Sequence, residues 1–181
     1  MKTSFIWDLD GVITDTSSLH KDSWIETLKS HVKDESESKI TEKYEQFFSG
    51  VPRIVGIKRF LESTISNKEY IQDIEGLAQS IADYKNRLFR SKISNLDITI
   101  YNDALSFLQW SKQRGLRNGL ASQSENADFV LDKSNIRRYL DSAATGLTAK
   151  EFSVKPKPNP DFYRHAAHLL GVKISNCVVF E

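Results

Sequence analysis

The sequence predicts an α/β fold, a doubly wound parallel sheet interrupted by an all-helical segment, and three observations lead to this prediction. The N-terminal stretch SFIWD (4–8) is a short apolar run typical of a strand buried in a parallel sheet. Residues 96–181 alternate between β-rich and helical patterns, which indicates parallel strands joined by crossover helices. Between them the pattern is almost wholly helical. We therefore expect a Rossmann-like core formed by 1–16 and 95–181, with an inserted helical domain, 17–94.

Four helices are predicted in the inserted domain, and each rests on apolar spacing. The first carries an apolar face with a spacing of four, formed by His20, Trp24, Leu28 and Val32. The segments ITEKYEQFF and VGIKRFLES predict two more helices, separated by SGVPR, where Gly50 and Pro52 break the pattern. A long helix is predicted from about 67 to 91, and its expected apolar stripe is Ile74, Leu77, Ile81 and Leu88.

Strands and helices alternate in the remainder of the chain. DITIYND is β-rich, and the following segment 102–115 predicts a helix that Asn102 or Asp103 caps and Gly115 ends. RNGLAS and DSAATG predict short strands on either side of a helix at 125–139. The last predicted helix, NPDFYRHAAHLLG, has Asn159 as its N-cap and Pro160 at its first position, and SNCVVFE predicts the final strand.

Composition restricts the kinds of partner that the chain can have. Lys and Arg number 25 against 24 Asp and Glu, a net charge of +1, so no overall field attracts nucleic acid or an anionic membrane. No apolar run approaches the roughly 20 residues of a membrane span. Cys177 is the only cysteine, which suits a reducing compartment, and Asp8 comes too early for a signal peptide. We expect a cytoplasmic, monomeric protein with no nucleic-acid or membrane partner.

Two aspartates follow the first strand in the stretch FIWDLDGVITDT (5–16). Side chains two apart in a strand point the same way, so Asp8 and Asp10 are expected to face one site at the carboxyl end of that strand, where α/β sheets bind ligands. Such a pair supplies a nucleophilic carboxylate and a general acid/base, and its oxygens suit Mg²⁺. The alternative is that DLDG is only a turn.

The surrounding residues favour the first interpretation, because WDLDGVITDT resembles the first motif of the haloacid dehalogenase superfamily. Most members of that family transfer phosphoryl groups, and the helical insertion resembles the family's cap domain. The resemblance implies that Asp8 is the nucleophile that forms an aspartyl-phosphate. It also implies that Asp10 is the acid/base, with its backbone carbonyl on Mg²⁺. The whole chain most resembles the β-phosphoglucomutase-like branch of the family.

Two further segments match the family's phosphate-binding motifs. In LASQSEN (120–126), Ser122 maps to the serine that holds the phosphate, and Ser124 and Asn126 are expected substrate contacts. The alternative is a helix capping box formed by Ser122 and Glu125. In VKPKPNPDFY, Lys155 is predicted to be the lysine that steadies the phosphate and the nucleophile. The alternative is that Lys155 is a solvated loop residue.

A fourth segment, VVFE, resembles the strand that family members end with two acids of the metal site. Here Glu181 is the last residue, so the resemblance implies a metal site formed by Asp8, Asp10 and Glu181 that lacks its second acid. The C-terminal part of the core is therefore expected to be missing, as in a truncated and inactive form.

The helical domain also carries residues that resemble the branch's cap. The resemblance gives His20 and Trp24 as the pair in TSSLHKDSW, Gly50 and Arg53 as parts of the substrate loop SGVPR, and Lys85 as the lysine that hydrogen-bonds to the histidine. His20 is equally consistent with an ordinary helix histidine. His165 and His168, three residues apart, are attributed to a surface helix rather than to a zinc site, because the sequence offers no third ligand nearby.

These features predict a Mg²⁺-dependent phosphoryl transfer, with two alternative reactions and one inactive alternative. The first reaction is hydrolysis of a sugar phosphate or a similar small phosphorylated metabolite. The second is the isomerisation catalysed by β-phosphoglucomutase. Glu125 stands where mutases commonly have a lysine, and this acid favours hydrolysis unless it turns away from the phosphate. The third alternative is an inactive fragment that only binds phosphate.

Overall fold

The computed structural model describes residues 3–31, 36–49, 51–64 and 73–181. The chain divides into two compact units, Met1–Ser17 with Asp97–Glu181, and Ser18–Leu96. These limits differ by one or two residues from the boundaries predicted from the sequence. Over the described ranges, no helix has both the length and the apolar character needed to cross a membrane.

The larger unit is built on a four-stranded parallel sheet, with the strand order β3-β2-β1-β4. Its strands are β1 (Ser4–Trp7), β2 (Asn118–Ala121), β3 (Ser142–Ala144) and β4 (Cys177–Phe180). Its helices are α5 (Asn102–Gln113), α6 (Ala127–Lys133), α7 (Gly146–Glu151) and α8 (Asp161–Leu169), and α1 (Ser17–His31) begins at its boundary. The predicted α/β class is confirmed.

Successive side chains of β1 point to opposite faces of the sheet, and each face is covered by a helix. Phe5 and Trp7 point to one face and pack edge-on against Phe107 of α5, with ring centroids 5.0 and 5.6 Å away. Ile6 points to the other face, where it packs with Phe162 and the neighbouring alanines of α8. All four residues of β1 are buried, as expected for a central strand of a parallel sheet.

The β-rich segment DITIYND does not form a strand of the sheet. Ile100 makes an isolated antiparallel bridge to Thr14, and Tyr101 N donates to Ile13 O at 3.0 Å. The segment therefore pairs with the chain that follows β1. The β-rich composition of this segment therefore corresponds to a local pairing and not to a strand of the parallel sheet.

The helix predicted at 125–139 is also interrupted. α6 ends at Lys133, and Asn135 has a φ of 58°, a left-handed conformation that asparagine tolerates better than most residues. A short 3₁₀ turn follows at Arg137–Tyr139. The interruption is fixed by the Arg137 guanidinium, which donates to Asp128 and Asp132 on α6.

The smaller unit contains the helices α2 (Glu37–Phe47), α3 (Arg53–Thr64) and α4 (Ile74–Ser94) with most of α1. The apolar stripe predicted for α4 does not coincide with the buried face of the helix, because Leu77 is exposed and Leu88 is only half-buried. The buried face is formed instead by Ala78, Ile81, Ala82, Lys85, Phe89 and Ile93. This face combines two alanines with the large apolar side chains of Ile81, Phe89 and Ile93, and it is rotated around the helix from the predicted stripe. Val32 and residues 67–72 lie outside the described residues.

The α/β unit contains a half-buried histidine on α8 that is expected to weaken the fold at acidic pH. The half-buried His165 contacts Phe152, with ring centroids 5.3 Å apart, and its buried Nε2 has no hydrogen-bond partner. Burial, and secondly the nearby His168, lower the pKa of His165. The unfolded chain therefore binds a proton at His165 more readily than the folded chain. The free energy of unfolding falls as the pH drops below about 6.5, the unfolded value.

We expect His165→Gln to reduce the loss of melting temperature between pH 7.5 and pH 5.5. The matched control is His168→Gln, because the side chain of His168 is exposed on the same helix and its removal has a smaller effect. Circular dichroism melts at the two pH values provide the measurement. Equal losses in the wild type and both variants would contradict the role assigned to His165.

Candidate active site

Three polar side chains meet at the carboxyl edge of the sheet because their strands are neighbours. Trp7 pairs with Phe180 and with Leu120, so Asp8 follows β1 beside Glu181 after β4, and Ser122 follows β2. Asp8 N donates to Phe180 O at 2.9 Å, which extends the pairing of the two strands by one residue. The sequence prediction of a site at this edge thus agrees with the topology.

The lysine that contacts Asp8 is Lys157, and not the predicted Lys155. Lys157 Nζ lies 2.9 Å from Asp8 Oδ1 and 2.9 and 3.0 Å from the two oxygens of Glu181, and its side chain is buried. Lys155 is exposed. The segment contains two Lys-Pro pairs, and the correct one begins the string Lys157-Pro-Asn-Pro-Asp that leads directly into α8.

Asp8 lies in a crowded and partly dehydrated environment. Its pKa is raised above the usual range, chiefly by burial and further by the nearby charges of Glu181 and Asp10. The ammonium of Lys157 acts in the opposite direction, through both its charge and its hydrogen bond to the carboxylate. Lys157 is therefore the group that favours the ionised, nucleophilic form of Asp8.

A tight turn after β1 places Asp10 beside two buried hydroxyl groups. Gly11 has a φ of 86°, and a Cβ there would lie 2.6 Å from Ser17 Oγ, so glycine is required. Thr16 Oγ1 is hydrogen-bonded to Asp10 Oδ1 and lies 2.9 Å from Thr14 Oγ1. These threonines are not among the site residues predicted from the sequence, although both are polar residues of the stretch DGVITDT (10–16).

The loop between β2 and α6, residues 122–126, is called the serine loop below. The buried Ser122 Oγ accepts from Ser124 N at 3.2 Å, and Ser124 Oγ accepts from Asn126 N at 3.2 Å. Each hydroxyl oxygen thus shapes the loop by accepting a hydrogen bond from a backbone N–H group. The alternative of a capping box formed by Ser122 and Glu125 is wrong, because the Ser122 N–H that Glu125 would accept donates to Ala144 O. The Glu125 carboxylate instead pairs with Lys150 Nζ at 2.5 Å.

Tyr163 is a further residue of this site that sequence analysis did not find. Its hydroxyl is hydrogen-bonded to Glu181, and Lys157 Nζ lies 5.1 Å from the centre of its ring. The pKa of Tyr163 is strongly raised by burial, then by the hydrogen bond and the charge of Glu181. The hydroxyl therefore stays protonated and donates to Glu181. In the sequence, the only indication of its role is its position shortly after Pro160 and Asp161.

The acidic residues at this edge fit a magnesium ion in their chemistry. Asp8, Asp10 and Glu181 carry the hard oxygen donors that Mg²⁺ prefers, and a cation relieves the repulsion among them. Among the residues that the structure describes, no three acidic, histidine or cysteine side chains converge as a metal site. The ammonium of Lys157 instead bridges Asp8 and Glu181.

In the smaller unit, the predicted hydrogen bond between Lys85 and His20 is present. Lys85 Nζ lies 2.7 Å from His20 Nδ1, and the lysine side chain is only 1% exposed. Phe89 stacks on His20 with ring centroids 4.1 Å apart, and Lys85 Nζ lies 4.8 Å from the Phe89 ring centre. Because an ammonium only donates, Nδ1 of His20 is an acceptor and Nε2 carries the proton. The role of this pair stays a prediction.

The other residues predicted in the helical unit differ in their positions. Trp24 is buried and stacks on Phe48, with ring centroids 4.2 Å apart, so it packs in the core of this unit. Arg53 is the half-buried first residue of α3. Gly50 lies outside the described residues. A contact of any of these residues with a substrate remains a prediction.

Comparison with known proteins gives consistent results. A family model described as a haloacid dehalogenase-like hydrolase matches residues 3–181. The β-phosphoglucomutase of Mycobacterium tuberculosis is 28% identical over 97% of this chain and 72% of its own length. The fructose-1-phosphate phosphatase of Escherichia coli is 25% identical over 97% of this chain and 84% of its own.

A solved structure supports the same relationship. The crystal structure of β-phosphoglucomutase from Clostridium difficile superimposes with a TM-score of 0.79 and 31% sequence identity, and the match covers 100% of this chain and 76% of that one.

Proposed function

Because the chain belongs to the haloacid dehalogenase-like hydrolases, we propose that it transfers phosphoryl groups through an aspartyl-phosphate on Asp8. The substrate class that we propose is a sugar phosphate or a similar small phosphorylated metabolite, and the reaction is hydrolysis. The observation that carries the proposal is the contact of Lys157 with Asp8, 2.9 Å long, at the carboxyl edge of the sheet. A lysine in this position favours the ionised nucleophile and can also pair with an incoming phosphate.

The proposed chemistry has two steps, in which Asp8 is first the nucleophile and then the leaving group. A carboxylate oxygen of Asp8 attacks phosphorus, the bond from phosphorus to the sugar oxygen breaks, and Asp10 gives its proton to that leaving oxygen. Water then attacks the phosphorus of the aspartyl-phosphate and gives a proton to Asp10, which frees Asp8 and phosphate. Thr16, hydrogen-bonded to Asp10, fixes the orientation of the acid/base between the steps.

The other groups of this edge position the phosphate. The hydroxyls of Ser122 and Ser124 supply donors to its oxygens, and Lys157 supplies positive charge. Bound Mg²⁺, held by Asp8, the backbone carbonyl of Asp10 and Glu181, would supply further neutralisation of the phosphate charge. Tyr163 holds Glu181 in place by its hydrogen bond.

The second candidate reaction is that of β-phosphoglucomutase, in which a sugar hydroxyl rather than water receives the phosphoryl group. It is supported by the 28% identity to a named β-phosphoglucomutase and by the hydrogen bond of Lys85 to His20. The ion pair of Glu125 with Lys150 reduces the repulsion that this acid would exert on a phosphate, but the position still lacks the lysine that mutases commonly have. The two reactions share the aspartyl-phosphate and differ only in the acceptor.

An assay of β-glucose 1-phosphate, with a trace of glucose 1,6-bisphosphate and Mg²⁺, separates the two reactions. We expect release of inorganic phosphate, measured colorimetrically, without accumulation of glucose 6-phosphate, measured by coupled reduction of NADP. Fructose 1-phosphate is the comparison substrate, because it reports hydrolysis alone. Glucose 6-phosphate formed faster than free phosphate would replace hydrolysis by the mutase reaction. No turnover of any sugar phosphate would favour the inactive alternative.

A further inference from the structure

The backbone of the serine loop is hydrogen-bonded to the last residue of β3 and to the first residue of α7. Ser122 N donates to Ala144 O at 2.9 Å, which continues the pairing of β2 with β3 into the loop. Gly146 N, at the start of α7, donates to Ser124 O at 3.2 Å. The conformation of the loop is therefore fixed from the side of β3 and α7.

Gly146 allows this close approach because it has no side chain. A Cβ at this position would lie 2.4 Å from Gln123 O, 2.9 Å from Glu125 N and 3.0 Å from Ser124 C. All three atoms belong to the backbone of the serine loop, which cannot rotate away as a flexible side chain could. A methyl group here would displace the loop itself, together with the hydroxyls of Ser122 and Ser124.

Lys150, one turn further along α7, acts on the same loop by charge. Its Nζ pairs with Glu125 Oε1 at 2.5 Å, and the side chains of Lys150 and Glu125 are 66% and 26% exposed. Glu125 follows Ser124 directly, so an unneutralised carboxylate would lie close to any phosphate bound by this loop. Like charges at such a distance repel each other. The ion pair draws the Glu125 carboxylate to α7 and cancels its charge.

We propose that α7 is the support that holds the serine loop in its phosphate-binding form, with Gly146 and Lys150 as positioning residues. Gly146 sets the path of the loop backbone, and Lys150 keeps the charge of Glu125 from weakening phosphate binding. This inference rests on the proposed function, because it assumes that the serine loop binds the phosphate group. It adds two residues outside the loop that control its affinity.

The test compares the affinity of the full chain for inorganic phosphate among variants. The affinity is measured as the inhibition constant of phosphate in sugar-phosphate hydrolysis, and independently by calorimetry. Lys150→Met is expected to weaken phosphate binding about two- to five-fold, with little change in kcat, because the pair is largely exposed. The double variant Lys150→Met/Glu125→Gln is expected to restore binding to the wild-type level. Lys112→Met is the matched control, since Lys112 forms an exposed ion pair with Asp141 elsewhere in the same unit. Gly146→Ala is expected to weaken binding by roughly ten-fold or more.

Each result of this test bears on a different part of the proposal. If Lys150→Met binds phosphate as well as Lys112→Met does, the charge role of Lys150 is refuted. If the double variant binds as weakly as the single one, Lys150 acts only as a structural residue and the proposal fails. If Gly146→Ala does not fold, the Lys150 and Glu125 variants decide alone. If the wild type neither binds phosphate nor hydrolyses any sugar phosphate, the proposed function itself fails.

Discussion

The Asp8→Asn variant is expected to lose at least about 10³-fold in the rate of phosphate release from sugar phosphates. The amide is a poor nucleophile, so the aspartyl-phosphate cannot form, and no neighbouring group takes over its position. Asp8 is the residue at the end of β1 that Lys157 contacts at 2.9 Å. Because asparagine has nearly the same shape, the variant should keep its fold and still bind substrate. The measurement is steady-state phosphate release, together with mass spectrometry of the wild type quenched in acid, which should show a phosphoryl adduct.

Asp15→Asn is the matched control, because it makes the same chemical change in the same motif. Asp15 is exposed, and its Oδ1 accepts a hydrogen bond from the Tyr101 hydroxyl at 3.2 Å that an asparagine oxygen can also accept. We expect its activity to stay within about two-fold of the wild type. Undiminished phosphate release by Asp8→Asn would refute the assignment of the nucleophile, whatever the control does.

Lys157→Met is expected to reduce activity by about 10²–10³-fold, the usual cost of removing one preorganised charged donor. The substitution keeps an unbranched side chain of similar length but removes the charge that lies between Asp8 and Glu181. Without that charge, the burial that chiefly raises the pKa of Asp8, and the smaller repulsion from Glu181 and Asp10, are unopposed. Less of the nucleophile is then ionised, and we expect the acidic limb of the pH–rate profile to move to higher pH.

Lys155→Met serves as the control for this variant, because it makes the identical change two residues earlier in an exposed side chain. We expect it to keep wild-type activity and the wild-type pH profile. The pair of variants decides directly between the two lysines of the KPKP segment. A loss of activity in Lys155→Met, with Lys157→Met unaffected, would return the phosphate-binding role to Lys155.

The error over the lysine shows how far sequence motifs determine the site. Both Lys155 and Lys157 precede a proline, and spacing along the chain does not say which side chain turns towards β1. That choice depends on how the loop after α7 enters α8, where Asn159 Oδ1 accepts from Asp161 N at 3.0 Å. Tyr163 was missed for the same reason, because its contact with Glu181 joins residues that are distant in sequence.

The helical unit shows a different limit of sequence patterns. The face of α4 was assigned from its large apolar side chains, whereas the buried face contains Ala78, Ala82 and Lys85. Which side of a helix faces its neighbours is decided by packing across the fold, which a single sequence does not reveal. The burial of Lys85 depends on the nitrogen of His20 and the faces of Trp24 and Phe89, all of which tertiary packing brings to it.

The sequence alone determined the class of fold, the interruption by a helical unit and the placement of Asp8 and Ser122 at strand ends. These features follow from local periodicity and from the rule that parallel strands present their carboxyl ends at one edge. Only the tertiary structure decided that Lys157 bridges Asp8 and Glu181, that Thr16 binds Asp10 and that Lys150 neutralises Glu125. The physical reason is that the role of a charged group or a hydroxyl depends on the residue that it contacts, and tertiary packing decides which residue that is.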